Sequence, residues 1–185
     1  GSMAGGMTEI YQEGLRIPPI RLMRDGQIVP DVMDMILLNV RVPQERRGDY
    51  NAQIAANQLG IRHGVALIER WGADWIASGC DAIIAAVARR IRLAVSELPD
   101  GVYAFEDVID DDGINTQDIK LCVKISVSGE QIEFDFDGTD PQVEGNINVT
   151  TAGLQASCLY CMKVLLDPQC PQNHGMLGPV TVNAP

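Results

Sequence analysis

The hydrophobic period of this chain changes from helical to alternating near Pro99-Asp100-Gly101, and this change limits the folds that the chain can adopt. Before it, between Ala73 and Leu98, apolar residues recur at three- and four-residue steps, the spacing of one helix face. After it, apolar and polar residues alternate, as in a strand with one buried face. The sequence therefore predicts an α+β fold, with a helical part at about 30–98 and a β-rich part at about 101–185.

Two long helices are predicted in the first part. One runs from roughly Pro43 to Trp71 and the other from Ala73 to Leu98, with Gly72 between them, which predicts a long antiparallel helical hairpin. A shorter helix from Asp31 to Val40 precedes them, after an extended piece that turns at Asp25-Gly26.

An antiparallel β-hairpin is predicted next. Ile119 to Val127 and Gln131 to Asp137 alternate in polarity, and Gly129-Glu130 fits a two-residue turn with Gly first. That turn pairs Val127 with Ile132, Ile125 with Phe134, Val123 with Phe136 and Lys124 with Asp135. Apolar residues then oppose each other on one face and opposite charges on the other.

The remaining elements are a polar loop, a further helix and a final strand. The loop covers Gly138 to Asn148, the helix runs from about Thr150 to Leu166, and the strand covers Val180 to Val182. The 185 residues are enough for one domain and too few to argue for two, so we expect a single, incomplete domain segment.

Charge and composition exclude several functions. Lys and Arg total 14 against 25 Asp and Glu, and a net charge of −11 repels nucleic acid and anionic membranes. The longest apolar run, Ala82 to Ala88, is far shorter than the roughly 20 residues that span a bilayer. With no signal segment visible and an odd number of cysteines, 5, we expect a cytoplasmic protein with reduced thiols.

One loop has the residue types of an anion site. Asp137 is expected at a strand-to-loop junction, where an acid is a candidate base or metal ligand, and the loop leads Asn146 and Asn148 to a helix N-terminus. Such an end presents free N–H groups to a phosphate or carboxylate. The alternative is an ordinary loop in which Asn148 or Thr150 caps the helix.

Two other clusters have simpler explanations. Cys158, Cys161, Cys170 and His174 are the residue types of a zinc site, but cysteines on the apolar side of a helix also behave as small hydrophobic residues. The acids from Glu106 to Asp112 lack the spacing of a calcium loop and are expected in a solvated turn.

Ten short motifs, in order over nearly the whole chain, resemble the hydantoinase B/oxoprolinase family. They are Glu13-Gly14-Leu15-Arg16-Ile17-Pro18-Pro19, Asn39-Val40-Arg41, Glu45-Arg46-Arg47-Gly48-Asp49, Gln53-Ile54-Ala55-Ala56-Asn57, Pro99-Asp100-Gly101-Val102-Tyr103, Asp110-Asp111-Asp112-Gly113, Phe134-Asp135-Phe136-Asp137-Gly138-Thr139, Pro141-Gln142-Val143, Gly145-Asn146-Ile147-Asn148 and Asn173-x-Gly175. No single motif is diagnostic, and the order carries the resemblance.

The resemblance implies an interior segment of the B-type subunit of an ATP-dependent cyclic amidase that opens a hydantoin or 5-oxoproline ring. An A-type partner subunit would use the ATP and phosphorylate the substrate. A divalent metal is expected in the full-length subunit, outside this segment, so the segment alone should be inactive. The candidate residues are Asp137 and Glu13 for catalysis, and Arg16, Thr139, Asn146, Asn148 and Asn173 for substrate binding.

Other functions stay open at this point. The same resemblance includes ATP-dependent ketone carboxylases, so the substrate could be a hydantoin, 5-oxoproline, another lactam or a ketone. The helical hairpin could instead serve assembly with the partner, without catalytic residues of its own. A zinc-stabilised binding module would require metal at the cysteine cluster.

Overall fold

The structure is a computed structural model, and it describes residues 5–184 except the side chain of Glu13. These residues divide into two compact units, one through Ile76 and one from Ala77 onward. The predicted α+β class is confirmed, with long helices followed by strands.

The first unit contains short elements and one long helix. These elements are α1 (Ile10–Glu13), β1 (Met23–Arg24), β2 (Gln27–Ile28), α2 (Pro30–Leu38) and α3 (Pro43–Trp71). The turn between β1 and β2 uses left-handed backbone at Asp25 (φ 52°) and Gly26 (φ 77°), as the Asp-Gly pair predicts. Pro30 and Pro43 stand at helix starts, where the missing proline N–H has no helical partner to lose.

Two long helices follow each other, as predicted. α3 ends at Gly72, whose φ of 83° lies in the left-handed region, and α4 (Ala73–Ser96) begins at the next residue. None of the described residues of α3 is buried, whereas α4 buries Val87, Ile91 and Val95 in the second unit.

The second unit is built on a four-stranded sheet. Its strands are β3 (Gly101–Asp111), β4 (Gln117–Ser128), β5 (Gln131–Asp135) and β6 (Val180–Asn183), in the order β3-β4-β5-β6. The first three are antiparallel neighbours, and β6 runs parallel to β5. The acids Glu106 to Asp111 lie in β3, so the solvated turn expected for them is wrong.

The predicted register of the β4–β5 hairpin is confirmed. Val127 opposes Ile132, Ile125 opposes Phe134, and Lys124 opposes Asp135. Gly129 at the turn has φ 56°, a conformation that favours glycine. The ladder ends at Asp135, however, because the next β4 groups that face β5, the N–H and C=O of Cys122, bond the Thr139 hydroxyl. The expected pair of Val123 with Phe136 is therefore absent from the described ladder.

One face of the sheet forms the core of the second unit. Val127, Ile132 and Phe134 form one hydrophobic cluster with the buried face of α4 and with the helix α5 (Thr151–Leu165). Cys158 and Met162 of α5, together with Cys170 and Met176, complete this cluster. The opposite face is polar, and there Lys124 Nζ lies 2.6 Å from Asp135 Oδ2.

A close backbone contact holds the segment after α5 against α4. Gly175, in a 3-10 helix (His174–Leu177), lies so close to α4 that a Cβ at this position would be 2.2 Å from Ile84 O. Arg90 of α4 also forms a two-pronged ion pair with Asp167, which follows α5. Among residues 5–184, no helix is both long enough and apolar enough to cross a membrane.

Candidate functional site

Asp137 lies two residues after the end of β5 and is exposed. Its backbone N–H donates to Asp135 Oδ1 at 3.2 Å. The Asp135 carboxylate accepts from Lys124, and this bond, with the Asp137 N–H, lowers the pKa of Asp135. A strand end and a charged pair thus fix the backbone of Asp137, while its carboxylate faces solvent.

Thr139 and Asp140 attach the loop to β4 through their side chains. The Thr139 hydroxyl donates to Cys122 O and accepts from Cys122 N–H, both at 3.0 Å. Asp140 Oδ2 accepts from Lys120 N–H at 2.7 Å, and Asp140 N–H donates to Lys120 O at 3.0 Å. Beyond the end of β5, side-chain oxygens of Thr139 and Asp140 therefore take the place of strand backbone atoms in the hydrogen bonds to β4. The Thr139 side chain therefore holds the loop to β4.

Asn148 closes the middle of the loop. Its Oδ1 accepts from Val143 N–H at 3.0 Å, and its Nδ2 donates to Val143 O and Gly145 O, both at 2.8 Å. These bonds use both amide N–H groups of Asn148 inside the loop. Thr150, rather than Asn148, caps α5, with its Oγ1 accepting from Gly153 N–H at 3.2 Å.

A buried carboxylate that the sequence analysis placed in solvent holds the loop to the β3–β4 turn. Asp112 is 1% exposed. Its Oδ1 accepts from the N–H groups of Ile114, Asn115 and Thr116, and its Oδ2 accepts from Gly145 N–H at 3.1 Å. Gly145 must be glycine, because a Cβ would lie 2.1 Å from Asp112 O.

The environment of Asp112 favours its ionised form. Burial by itself raises the pKa of this carboxyl, but the four backbone N–H groups outweigh burial and bring the pKa to about 2. The Asp-Gly of Asp112-Gly113 was the available signal, since Asp side chains commonly accept from the N–H groups that follow them. The contact with Gly145 had no local signal.

Asn146 follows Gly145 directly and is half-buried. The contact of Gly145 with Asp112 therefore fixes the backbone on one side of Asn146, and Asn148 fixes it on the other. Asp137, Thr139, Asn146 and Asn148 all lie on one loop, the 137–148 loop, which these hydrogen bonds brace.

The other candidate residues lie elsewhere. Asn173 caps the 3-10 helix, and its Oδ1 accepts from Gly175 N–H at 2.8 Å. Arg16 belongs to the first unit, where its guanidinium donates to the Tyr11 hydroxyl at 3.1 Å and lies 5.7 Å from the ring centroid. Glu13 ends α1, and its side chain lies outside the described residues.

The cysteines are not arranged as a metal site. Cys158 and Cys170 are buried and Cys161 is exposed. Burial raises the pKa of both buried thiols, as expected for cysteines that pack as small hydrophobic residues. Across residues 5–184, no group of three His, Cys, Asp or Glu residues is placed to hold a metal ion.

The geometry of the 137–148 loop suits general-base chemistry beside a polar binding group. Asp137 carries an exposed carboxylate on a fixed backbone, and Asn146 lies on the same loop, next to Gly145. A base and an amide donor on one braced loop are the parts needed to activate water and to stabilise an oxyanion.

Comparison with known proteins agrees with this architecture. The beta subunit of the caprolactamase of Pseudomonas jessenii is 31% identical over 95% of the chain, and the B-type subunit of a putative D-/L-hydantoinase of Pseudomonas sp. (strain NS671) is 30% identical over 96%. The crystal structure of the ATP-dependent caprolactamase from Pseudomonas jessenii superimposes with a TM-score of 0.80 at 31% identity, over 96% of this chain.

The chain spans about a third of the length of these relatives: 30% of the caprolactamase sequence, 32% of the hydantoinase sequence and 31% of the solved chain. The family model for hydantoinase B/oxoprolinase matches residues 1–185. This chain therefore belongs to the hydantoinase B/oxoprolinase family.

Proposed function

We propose that this chain is part of the B-type subunit of an ATP-dependent cyclic amidase. An A-type partner subunit uses ATP to phosphorylate the amide oxygen of a lactam or hydantoin, and the B-type subunit completes ring opening. The observation that carries the proposal is the likeness to the ATP-dependent caprolactamase, which extends over 96% of the chain with a TM-score of 0.80.

Within that subunit, the 137–148 loop presents the reacting groups. Asp137 takes the proton from the water that attacks the carbon of the phosphorylated amide; the ring C–N bond then breaks, the nitrogen leaves as the protonated amine, and an acyl phosphate remains. A second water hydrolyses this acyl phosphate to the carboxylate and phosphate, and Asn146 donates to the acyl oxygen that becomes negative in this step. Thr139 and Asn148 are positioning residues, because their hydrogen bonds hold the loop to β4 and to itself. The divalent metal expected in the full-length subunit stays a prediction, with its ligands outside residues 1–185.

Glu13, Arg16 and Asn173 have proposed roles that come from the family resemblance, each taken by itself. In this proposal, Glu13 assists catalysis while Arg16 and Asn173 bind the substrate. Arg16 has a guanidinium suited to a phosphate or carboxylate group, and Asn173 stands at a chain turn that Gly175 fixes against α4.

The reaction class is tested with the full-length subunit and its A-type partner. We expect ATP-dependent conversion of caprolactam, a hydantoin or 5-oxoproline to the open-chain product, followed by mass spectrometry and by ADP release. Omission of ATP is the control. ATP-dependent carboxylation of acetone with bicarbonate, without lactam turnover, would instead support the ketone carboxylase.

The role of the loop is tested in the same complex with Asn146→Ala. Loss of one oxyanion donor should lower kcat by about 10²-fold and leave ATP affinity of the partner subunit unchanged. Asn115→Ala is the matched control, since Asn115 is exposed in the β3–β4 turn. Equal kcat in Asn146→Ala and wild type would remove Asn146 from the site.

A second candidate function is assembly, and it is favoured by the surface of α3. Apolar residues lie exposed along this helix and just beyond it; they are Leu59, Ile61, Val65, Leu67, Ile68, Trp71 and Trp75. Trp71 and Trp75 stack with their ring centroids 5.0 Å apart. An apolar surface of this kind is typical of a protein–protein interface.

The two candidates are separable by experiment. Ile61→Asp with Ile68→Asp should weaken association with the partner subunit in sedimentation if α3 serves assembly, whereas Asp137→Asn should abolish turnover without dissociating the complex if the loop is catalytic. Turnover that survives Asp137→Asn would leave this segment with assembly alone.

A further inference from the structure

β3 is an edge strand with one side left unpaired. It is 11 residues long and pairs with β4 alone among the strands of residues 5–184. It contains no proline and no lysine, the residues that usually protect a free edge. An edge of this length presents a row of N–H and C=O groups to any strand that approaches it.

The register identifies which groups point outward. The two-residue turn closes on the pair Ser128–Gln131, so even-numbered residues of β4 direct their N–H and C=O groups toward β5. Lys120 and Cys122 confirm this, since their N–H groups donate to Asp140 and Thr139 on that side. The odd-numbered residues of β4 therefore bond to β3.

On β3, the even-numbered residues have their N–H and C=O groups on the unpaired side. Odd-numbered β3 residues such as Phe105 face odd-numbered β4 residues, so Ala104, Glu106 and Val108 direct their N–H groups away from the sheet. Val108 N–H donates to the side chain of its own neighbour, Asp107 Oδ1, at 2.9 Å. A local side-chain bond thus occupies a position where a strand partner would accept.

Apolar side chains beside this edge are uncovered on both faces of the sheet. Val102 is 66% exposed and Val108 50% exposed on one face, and Phe105 is 65% exposed on the other. A further strand would cover parts of all three and pair the free backbone groups at the same time.

Charge and chain length indicate what occupies the edge. β3 carries Glu106, Asp107, Asp110 and Asp111 and no basic residue. Antiparallel pairing of the whole strand with a second copy would set Glu106 opposite Glu106, which is unfavourable. Relatives are about three times as long as this chain, so a longer subunit has many residues available to supply another strand.

We propose that β3 is an internal strand in the full-length subunit, paired with a strand that carries Lys or Arg and comes from the same polypeptide outside residues 1–185. The sheet is then at least five strands wide. This inference goes beyond the proposed function, because it holds whether the subunit hydrolyses an amide or not.

Hydrogen exchange of the full-length subunit, purified without its A-type partner, tests the proposal. We expect the amides of Val102, Ala104 and Glu106, which point away from β4, to exchange at least about 10-fold more slowly than exposed loop amides, at every protein concentration. Fast exchange with and without the partner, protection only in the complex, or protection that rises with concentration would each overturn it. The last two outcomes would identify the partner subunit and a second copy as the occupant.

A proline variant isolates the outward backbone bonds. Ala104→Pro removes an N–H that points away from β4, a change that a free edge tolerates. Ala104→Ser keeps the N–H and is the matched control. Loss of protection at Val102 and Glu106 in Ala104→Pro alone supports strand pairing, whereas equal exchange in the two variants contradicts it. If Ala104→Pro fails to fold, hydrogen exchange in the wild-type subunit still tests whether the outer side of β3 is paired.

Carbodiimide cross-linking of the same subunit tests the charge of the added strand. We expect links from Glu106, Asp107, Asp110 or Asp111 to lysines of the same chain outside residues 1–185, at the monomer mass. Links that appear only in higher-mass species would overturn the intrachain assignment.

Discussion

Asp112 shows how a single buried residue can define a loop. Its carboxylate accepts from four backbone N–H groups, three in its own turn and one from Gly145, 33 residues away. A buried acceptor with this many donors loses much when it is changed, because the N–H groups are left without partners. The 137–148 loop therefore depends on a residue outside it.

Asp112→Asn is expected to loosen the β3–β4 turn and the 137–148 loop together. The amide presents an NH₂ group to one of the donors, so at least one bond is lost. Hydrogen exchange at 114–116 and 145 should accelerate at least about 10-fold. Asp111→Asn is the control, since Asp111 is exposed and accepts only from Gly113 N–H among the bonds described. Unchanged exchange in Asp112→Asn would contradict the account.

Among the elements, the contact between α4 and the 3-10 helix depends on the absence of a side chain. Gly175 approaches α4 closely enough that an added Cβ would be 2.2 Å from Ile84 O and 3.0 Å from Ala88 N. Both are helix backbone atoms, so neither can move without disturbing α4. This contact also fixes Asn173, which bonds to Gly175.

Gly175→Ala should destabilise the full-length protein by about 1–3 kcal/mol, as overpacking usually does. Gly79→Ala is the matched control, because Gly79 lies in α4 with nothing within 4 Å of the added Cβ. Alanine favours a helix over glycine by up to about 1 kcal/mol, so Gly79→Ala should be neutral or stabilising. Chemical denaturation measures both, and equal effects would contradict the contact.

At the scale of the whole molecule, stability depends on several ionised carboxylates. Backbone N–H groups lower the pKa of Asp112 to about 2, and Lys124 and Arg90 lower the pKa of Asp135 and Asp167. A carboxyl with a lowered folded pKa stabilises the fold above its unfolded pKa of about 4, and this contribution is lost as pH falls to the folded pKa.

We therefore expect unfolding to be favoured progressively between about pH 4 and pH 2. Far-ultraviolet circular dichroism of the intact subunit, followed through an acid titration, measures this loss of folded structure. Arg90→Ala with Lys124→Ala should reduce the dependence, because the carboxyls then lose their cationic partners. A stability that stays constant from pH 6 to pH 2 would contradict the role of these groups.

Local pattern was sufficient for much of the fold. The three- and four-residue period predicted α4, and strict alternation with Gly129-Glu130 predicted the β4–β5 register down to the pair of Lys124 with Asp135. These features depend on residues that are neighbours in sequence or across one tight turn, so a short stretch of sequence is enough to predict them. β3 was missed because apolar residues lie on both of its faces and its acids resemble a turn.

The sequence by itself determined the two long helices, one hairpin register and the family, since each follows from residues close together or from motifs in order. Only the tertiary structure decided that Asp112 is buried, that Gly145 and Gly175 lie against distant backbone, and that Thr139 and Asn148 hold the loop. The physical reason is that burial and hydrogen-bond partners depend on which distant segments meet. Local periodicity determines which face of an element is apolar, but it does not determine which distant segment packs against that face.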